Sequence, residues 1–227
     1  MTQLLLGIAP EWTPTLDNFV AGRNAELLSA LRHALTDSTG GHAFCLWGAA
    51  GSGKSHLLQA VVGQAQAAGM SAHYACRAIP PPVQVVAVDE VEQLDEAAQI
   101  ELFALYNRMR DSGGLLLVAG TRAPAQMALR DDLRTRLGWG LVYQVHALND
   151  AEKAQALQRH AAARGFELPP EVVTYLLRHG RRDLSSLLAL LDALDVHCLR
   201  LQRPASVPLL KEVMGLQRST SAMQQVP

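Results

Sequence analysis

The segment LWGAAGSGKSHLL, residues 46–58, contains residue types whose spacing fits phosphate chemistry. An apolar run passes through glycines into the start of a helical pattern, and the letters match G-x-x-x-x-G-K-[ST]. In this motif the glycines let backbone N–H groups approach an anion, the lysine reaches the β- and γ-phosphates, and the hydroxyl ligates Mg²⁺. The segment therefore predicts a site for ADP or ATP with Mg²⁺. The nucleotide-binding residues predicted here are Gly48, Gly51, Gly53, Lys54, Ser55 and His56.

Two acidic residues, Asp89 and Glu90, close the apolar run VQVVAVDE. A buried strand that follows a phosphate-binding loop brings such residues to the carboxyl edge of the sheet, beside the phosphates. There Asp89, together with Ser55, suits Mg²⁺, and Glu90 suits the orientation of an attacking water. The run LLLVAGTRAP ends at Thr121, which we predict to contact the γ-phosphate or to hold that water. Taken alone, paired acids and polar strand ends are also typical of solvated turns.

The elements that position these residues follow from the apolar pattern. Strand-like runs alternate with helical patterns at 24–35, near 54–68 and near 95–111, and a less regular segment lies near 125–137. This alternation predicts an α/β fold with a parallel sheet covered by helices on both faces. The segment RAIPPPVQ is too short for a crossover helix and predicts a tight prolyl loop. The strand-like runs are 43–47, 72–76, 83–88, 115–119 and 141–145.

From residue 150 onward the strand-like runs stop and helical patterns follow, which predicts a small all-α domain behind the α/β domain. The N-terminal MTQLLLGIAPEWTP precedes any helical period and suggests an extended arm. The final QRSTSAMQQVP is polar and is expected to be disordered. The predicted helices of this domain are 150–164, 170–179, 183–201 and 206–215. The predicted domains of the whole chain are an arm at 1–14, an α/β domain at 15–147, a helical lid at 148–217 and a disordered tail at 218–227.

The composition bounds the classes of partner. The chain has 227 residues, 49% of them hydrophobic, and a formal net charge of −1, so no chain-wide positive field attracts nucleic acid. No apolar run reaches the ~20 residues of a membrane span, and no signal-peptide pattern begins the sequence. Cys45, Cys76 and Cys198 are scattered singly, which is typical of buried thiols in a reducing compartment. We therefore expect a cytoplasmic protein.

Two arginine pairs lie near predicted helix ends. In LRTRLGWGL, between a helix and the final strand, one of Arg134 and Arg136 can face a neighbouring surface while the other faces its own body; plain solvation is the alternative. In RHGRRDLSSLLALL, Arg181 and Arg182 precede a helix, where positive charge opposes the helix macrodipole. Bound phosphate and the neighbouring Asp183 explain this second pair equally well.

The order of these features, from phosphate-binding loop and acidic strand end to arginine segment and helical lid, resembles an AAA+ ATPase. LDNFVAGRNAEL resembles the nucleotide-base pocket of the replication initiator DnaA, and LRTRLGWGL resembles its arginine-finger box. RGFELPPEV and PLLKEVMGL resemble the Hda family of short DnaA homologues. The resemblance covers roughly residues 15–216, and it implies an AAA+ fold with a five-stranded parallel sheet and a C-terminal lid. The short AIPPP connection departs from the family, whose members usually keep a helix there.

The resemblance also implies roles for individual residues. Phe19, Val20 and Asn24 would lie beside the adenine, and Arg182 would be the sensor-2 arginine. Arg136 would be the arginine finger offered to the ATP of a partner. The arm segment QLLLGI is similar to the Q-L-x-L-x-L/F peptide that docks in the DNA polymerase sliding clamp. The residues implied to bind the clamp are Gln3, Leu4, Leu6 and Ile8.

The function that the resemblance implies is negative regulation of replication initiation. Bound to the sliding clamp, the protein would stimulate hydrolysis of DnaA-bound ATP, and it would contact DNA through the clamp. Its intrinsic ATPase rate and its oligomeric state are left open. The alternative is an ATP-driven adaptor or loader, which predicts substantial turnover stimulated by nucleic acid. A small-molecule kinase would need an arginine-bearing lid inserted within the α/β domain, and the sequence shows no such insertion.

Overall fold

The computed structural model describes residues 13–37, 42–181 and 183–223. The described chain divides between Ala147 and Leu148 into two compact units. Predictions for Arg182 and for the clamp-binding residues Gln3, Leu4, Leu6 and Ile8 fall outside the described residues. None of the helices in the described ranges combines the length and the apolar character that a membrane-spanning segment requires.

The first unit is built on a single parallel sheet. Its strands are β1 (His42–Trp47), β2 (Ala72–Cys76), β3 (Val85–Asp89), β4 (Leu115–Gly120) and β5 (Leu141–Gln144). They are ordered β2-β3-β4-β1-β5, and every pairing is parallel. All residues of β3 and β4 are buried, because central strands of such a sheet are covered on both faces. The predicted five-stranded parallel sheet is confirmed.

Helices cover both faces of this sheet. Within the first unit they are α1 (Ala25–Thr36), α2 (Lys54–Ala67), α3 (Glu96–Ser112) and α4 (Asp131–Trp139), with short 3₁₀ turns at Val91–Gln93 and Pro124–Gln126. Successive side chains of a strand point to opposite faces. Accordingly, Val85 and Ala87 of β3 lie in the core cluster under α1 and α2, whereas Val86 and Val88 lie in the cluster under α3 and α4. The sheet thus holds the ends of β1, β3 and β4 in one row.

Two connections decide where functional side chains lie. Between β2 and β3 the chain contains no helix, as the prolines predicted, and Gln84 closes this loop by accepting from the backbone N–H of Ser71. The arginine segment differs from its prediction, because Arg134 and Arg136 lie on α4 and not between a helix and β5. The helix continues through Leu137, whose burial anchors the segment on the core, and it ends at Trp139.

The second unit is a helical bundle, as predicted from the loss of strand-like runs. Its helices are α5 (Asp150–Ala163), α6 (Pro170–His179), α7 (Leu184–Leu201) and α8 (Val207–Met223). Asn149 and Glu152 form a capping box at the start of α5, and Pro170 occupies a first-turn position of α6. The apolar face predicted for α7 is buried in the core of this unit, at Leu187, Leu188, Leu191 and Leu194.

The last helix, α8, continues to Met223, which lies beyond residue 218, where the sequence predicts the disordered tail to begin. The tail boundary itself stays a prediction. Extending an existing helix fixes one residue for each added hydrogen bond, so a polar sequence can prolong a helix that buried residues such as Leu209 and Leu210 have already anchored.

Candidate functional site

The phosphate-binding loop connects β1 to α2. Gly51 and Gly53 have φ angles of 74° and 102°, which are left-handed conformations that favour glycine. Gly53 precedes α2 without a side-chain cap, so the first N–H groups of the helix face the loop. Lys54 Nζ donates to the carbonyls of Gly48 at 2.8 Å and Ala49 at 3.0 Å. The loop therefore brings backbone donors, an ammonium group and the exposed Ser55 side chain to one place.

Two opposing effects act on the pKa of Lys54. Burial lowers the pKa of Lys54, and the negative charges of Asp89, Glu92 and Glu90 act in the opposite direction. The side chain of Ser52 is buried in the same loop, and its hydroxyl oxygen has no hydrogen-bond partner among the described residues. The unpartnered Ser52 hydroxyl fits a loop whose polar groups are arranged for a ligand.

Phe19 and His56 hold the segment before α1 against the phosphate-binding loop. A Cβ on Gly53 would lie 2.7 Å from Phe19 Cε2, so only glycine allows this approach. The Phe19 and His56 rings lie 5.4 Å apart, and His56 Nε2 is 2.9 Å from the carbonyl of Thr15. Burial lowers the pKa of His56, and the Thr15 carbonyl only partly offsets this effect. A neutral His56 that donates to Thr15 is the form that this geometry favours.

Asn24 and Val20 complete the segment that sequence resemblance placed beside the adenine. Val20 is half-buried. Asn24 is buried, and its amide donates to the carbonyl of His146 at 2.9 Å and accepts from the N–H of His146 at 2.8 Å. The Asn24 side chain therefore fastens this segment to the chain just after β5.

Asp89 lies at the carboxyl end of β3 and is 2% exposed. One carboxylate oxygen accepts from the Tyr74 hydroxyl at 3.0 Å, and the other accepts from the Glu90 N–H at 2.9 Å. Burial, with a further contribution from Asp89, raises the pKa of Tyr74 to about 12, so the hydroxyl remains protonated and donates. Each Asp89 oxygen still has a lone pair for a further ligand. Tyr74, on the neighbouring strand, was not identified from the sequence.

Glu90 has a different environment from the one expected for a residue that orients water. It forms an ion pair with Arg77, which follows the neighbouring strand β2. Both residues are in the left-handed region, with φ angles of 53° for Glu90 and 56° for Arg77, and the Arg77 N–H donates to the Asp89 carbonyl at 3.1 Å. The side-chain hydrogen bond between Arg77 and Glu90, together with the negative charge of Glu90, raises the pKa of Arg77. Arg77 thus holds the Glu90 carboxylate toward the edge of the sheet.

Thr121 is fixed by an acidic residue that the sequence analysis did not single out. Glu92 accepts from the Thr121 N–H at 2.9 Å and also from its hydroxyl. Glu92 lies in the 3₁₀ turn just after Glu90. In the sequence it looks like any acidic turn residue, and only the parallel pairing of β3 with β4 brings it to Thr121.

The two arginines of α4 differ in their partners. Arg134 Nη2 lies 2.7 Å from Asp131 Oδ1. Arg136 is half-buried, and its guanidinium carbon lies 4.4 Å from the ring centroid of Trp139 and 5.7 Å from that of Phe103. Among the described residues, no carboxylate forms an ion pair with Arg136. Of the two candidates that the sequence left, Arg136 is the one whose N–H donors remain available.

In the helical unit, Asp183 compensates the positive charge that the exposed Arg181 places before α7. Arg181 Nε lies 3.3 Å from Asp183 Oδ2, and Asp183 caps α7 by accepting from the Ser186 N–H at 2.8 Å. Burial alone would raise the pKa of Asp183, but hydrogen bonds from Ser186 and Ser185 lower it overall. Of the two reasons offered for an arginine before α7, the structure favours pairing of Arg181 with Asp183 over binding of a phosphate.

Comparisons with known proteins divide along the same two units. A family model described as "Hda, lid domain" matches residues 150–214, and one described as "Bacterial DnaA ATPase domain" matches residues 77–144. The chain is therefore similar to Hda in its helical unit and to the DnaA ATPase domain in part of its α/β unit. The ATPase match begins after the phosphate-binding loop of this DnaA-like chain, so the assignment of the loop rests on its own motif and geometry.

Solved structures show the fold of this DnaA-like protein. Domain III of DnaA from Thermotoga maritima superposes with a TM-score of 0.73 at 20% identity, covering 88% of this chain and 95% of that one. DnaA bound to AMPPCP and single-stranded DNA gives 0.69 at 21% identity, with 83% and 68% covered. RuvB from Thermotoga maritima gives 0.65 at 17% identity, with 89% and 72% covered. The AAA+ fold predicted from the sequence is confirmed.

Proposed function

We propose that this protein is a negative regulator of DNA replication initiation that acts on DnaA. In this proposal it holds ADP or ATP with Mg²⁺, is tethered to the sliding clamp by its N-terminal arm, and stimulates hydrolysis of DnaA-bound ATP. Arg136 is the arginine finger that completes the active site on DnaA. The product is ADP-bound DnaA, which no longer initiates.

Nucleotide binding is supported by the phosphate-binding loop. The left-handed glycines, the uncapped start of α2 and Lys54 form a set of donors around one anion site. A DnaA structure with bound AMPPCP has the same fold. For Mg²⁺, Ser55 and Asp89 supply the hard oxygen ligands that this ion prefers. The described residues contain no group of three or more His, Cys, Asp or Glu suited to a metal, so Mg²⁺ would depend on these two residues and on the phosphates.

Action on a partner's nucleotide is supported by the contrast between Glu90 and Arg136. The ion pair with Arg77 occupies Glu90, which disfavours rapid hydrolysis at the protein's own site. The single observation that carries the proposal is the Arg136 guanidinium, which lies over the Trp139 ring and has no carboxylate partner among the described residues. A trans arginine finger contributes about 10³–10⁵ in rate, or roughly 4–7 kcal/mol of transition-state stabilisation. The planar guanidinium suits this role because it is permanently charged and matches phosphate oxygens.

The clamp contact is proposed from the arm sequence alone. Gln3, Leu4, Leu6 and Ile8 match the spacing of a clamp-binding peptide. Coupling to the clamp on DNA would restrict the signal to cells in which replication has started. It would also explain how a chain with a formal net charge of −1, and therefore no chain-wide positive field, works close to DNA.

The test of the finger uses DnaA loaded with labelled ATP, together with purified clamp and DNA. Arg136→Ala should abolish the stimulated hydrolysis while the nucleotide content of the variant stays equal to wild type. Arg134→Ala is the matched control on the same helix and should keep most of the stimulation. Undiminished stimulation by Arg136→Ala would remove the finger assignment. Rapid, DNA-stimulated hydrolysis by the wild-type protein alone would instead indicate an adaptor or loader.

The test of the arm is a pull-down with the clamp. Replacing Gln3 and Leu4 together by Ala should eliminate binding, because the glutamine and the first leucine anchor the proposed peptide. Thr2→Ala, just outside the peptide, is the control and should bind normally. Clamp binding that survives the double replacement would show that the tether lies elsewhere in the protein.

A further inference from the structure

We infer that Trp139 is a positioning residue for the arginine finger, with Phe103 as a second aromatic contact. The inference rests on the proposed function of Arg136 and adds a residue to that site. The guanidinium carbon of Arg136 lies 4.4 Å from the Trp139 ring centroid and 5.7 Å from the Phe103 centroid. Both distances fall within the range of a cation–π contact.

The positions of the three residues on two helices explain the contact. Arg136 and Trp139 are related by i and i+3 in the last turn of α4, so their side chains share one face of the helix. Phe103 belongs to α3, which packs beside α4 in the same core cluster of the first unit. The guanidinium therefore meets an aromatic ring from its own helix and a more distant one from the neighbouring helix.

An aromatic contact does not use up the hydrogen-bonding capacity of the guanidinium. An arginine has five N–H donors, and an aromatic ring offers them its π face but no carboxylate lone pairs. A carboxylate acts in the opposite way, because it occupies the donors, as Asp131 does for Arg134 at 2.7 Å. Trp139 can thus restrict the orientation of Arg136 while its donors stay available for phosphate oxygens.

The backbone around Trp139 is well fixed, although its side chain is not part of the core. The Trp139 side chain is 65% exposed, so burial of the indole does not account for a tryptophan here. The next residue, Gly140, packs so closely on β1 that a Cβ would lie 2.4 Å from the Ala43 carbonyl oxygen. On the other side Leu137 is buried. The aromatic surface is therefore carried by a rigid helix end.

The test compares Trp139→Leu with Trp139→Phe in the DnaA hydrolysis assay with clamp and DNA. Each variant is titrated, so that the maximal stimulated rate is separated from the concentration that gives half of it. Trp139→Leu should lower the maximal rate about tenfold, because a finger displaced by about 1 Å loses transition-state contacts. The half-maximal concentration should stay within about twofold, and Trp139→Phe should restore most of the rate because it keeps an aromatic face.

Two results would overturn the inference. An unchanged maximal rate with a raised half-maximal concentration would make Trp139 a docking contact with DnaA. Wild-type behaviour of Trp139→Leu would give the indole no role in this reaction. Failure of the proposed function itself is a separate result, since the wild-type protein would then give no stimulation. Because the indole is exposed, Trp139→Leu should keep the wild-type unfolding midpoint, which a thermal melt verifies.

Discussion

Single residues around the phosphate-binding loop bear on the proposal that this protein holds a nucleotide and hydrolyses it slowly. Glu90 has the position of a residue that orients water, yet its carboxylate pairs with Arg77. The pair joins the ends of two neighbouring parallel strands, β2 and β3, and each partner has a left-handed backbone. A carboxylate held in this way is poorly placed to activate a water molecule at the γ-phosphate.

The residue-scale prediction is that Arg77→Ala raises intrinsic ATP hydrolysis. General-base catalysis contributes about 10²–10⁴ in rate, so release of Glu90 should accelerate phosphate formation by about tenfold or more. Phosphate release by the isolated protein measures the effect. Arg110→Ala, which removes another surface arginine paired with a carboxylate, should leave the rate unchanged. If Arg77→Ala hydrolyses ATP at the wild-type rate, the ion pair does not restrain Glu90.

Residues near the site differ in how well the sequence could identify them. The residues of the phosphate-binding loop, with Asp89, are close in sequence to a strand end or follow fixed spacing, so a single chain is enough to predict them. Tyr74 and Glu92 reach the site only through strand pairing, and their local sequences carry no special pattern. Asn24 was predicted near the base, but its two hydrogen bonds to His146 require the folded chain.

Among the elements, the central buried strands could be predicted from the sequence because both of their faces are apolar. The runs around β3 and β4 are continuous in hydrophobic residues, and the structure buries every residue of both strands. The segment around α4 was harder to assign, since only Leu133 and Leu137 are buried on this short helix. The extent of α8 could not be predicted from composition, because a helix that begins upstream can continue through polar residues.

The element-scale prediction concerns the turn from β1 into the phosphate-binding loop. A Cβ at Gly48 would lie 2.4 Å from the carbonyl oxygen of Val145, a backbone atom that cannot rotate away. The backbone of Val145 is itself held by its N–H, which donates to the carbonyl of Trp47 at 2.7 Å. Gly48→Ala should therefore destabilise the protein by about 1–3 kcal/mol and weaken nucleotide binding.

The control for this prediction lies in the same unit. Gly63 is inside α2, and a Cβ there would meet nothing within 4 Å. Because glycine is a poor helix former, Gly63→Ala should stabilise the protein by about 0.5–1 kcal/mol. Thermal unfolding midpoints of the two variants should thus move in opposite directions. Equal stability of Gly48→Ala and wild type would mean that the strand ends can separate at no cost.

At the scale of the whole molecule, two units with separate cores carry separate family signatures. One core surrounds the sheet, and another is formed by helices α5 to α8. The match to the Hda lid lies in the second unit, whereas the DnaA ATPase match lies in the first. The identity to the DnaA domain from Thermotoga maritima is only 20%. At this level, short motifs indicate the fold more clearly than overall sequence similarity does.

The whole-molecule prediction is that nucleotide stabilises the protein through Lys54 and independently of Arg136. A ligand that binds only the folded state adds about 2.7 kcal/mol at a concentration 100 times its Kd, which raises the unfolding midpoint of a chain of this size by roughly 5–10 °C. Lys54→Ala should lose most of this shift with ADP or ATP in a thermal melt. Lys153→Ala, in the helical unit, should keep it. Arg136→Ala should also keep the full shift, because its guanidinium is proposed to serve the nucleotide of another molecule. If Arg136→Ala lost the shift together with Lys54→Ala, the arginine would act on the protein's own nucleotide, and regulation in trans would have to be abandoned.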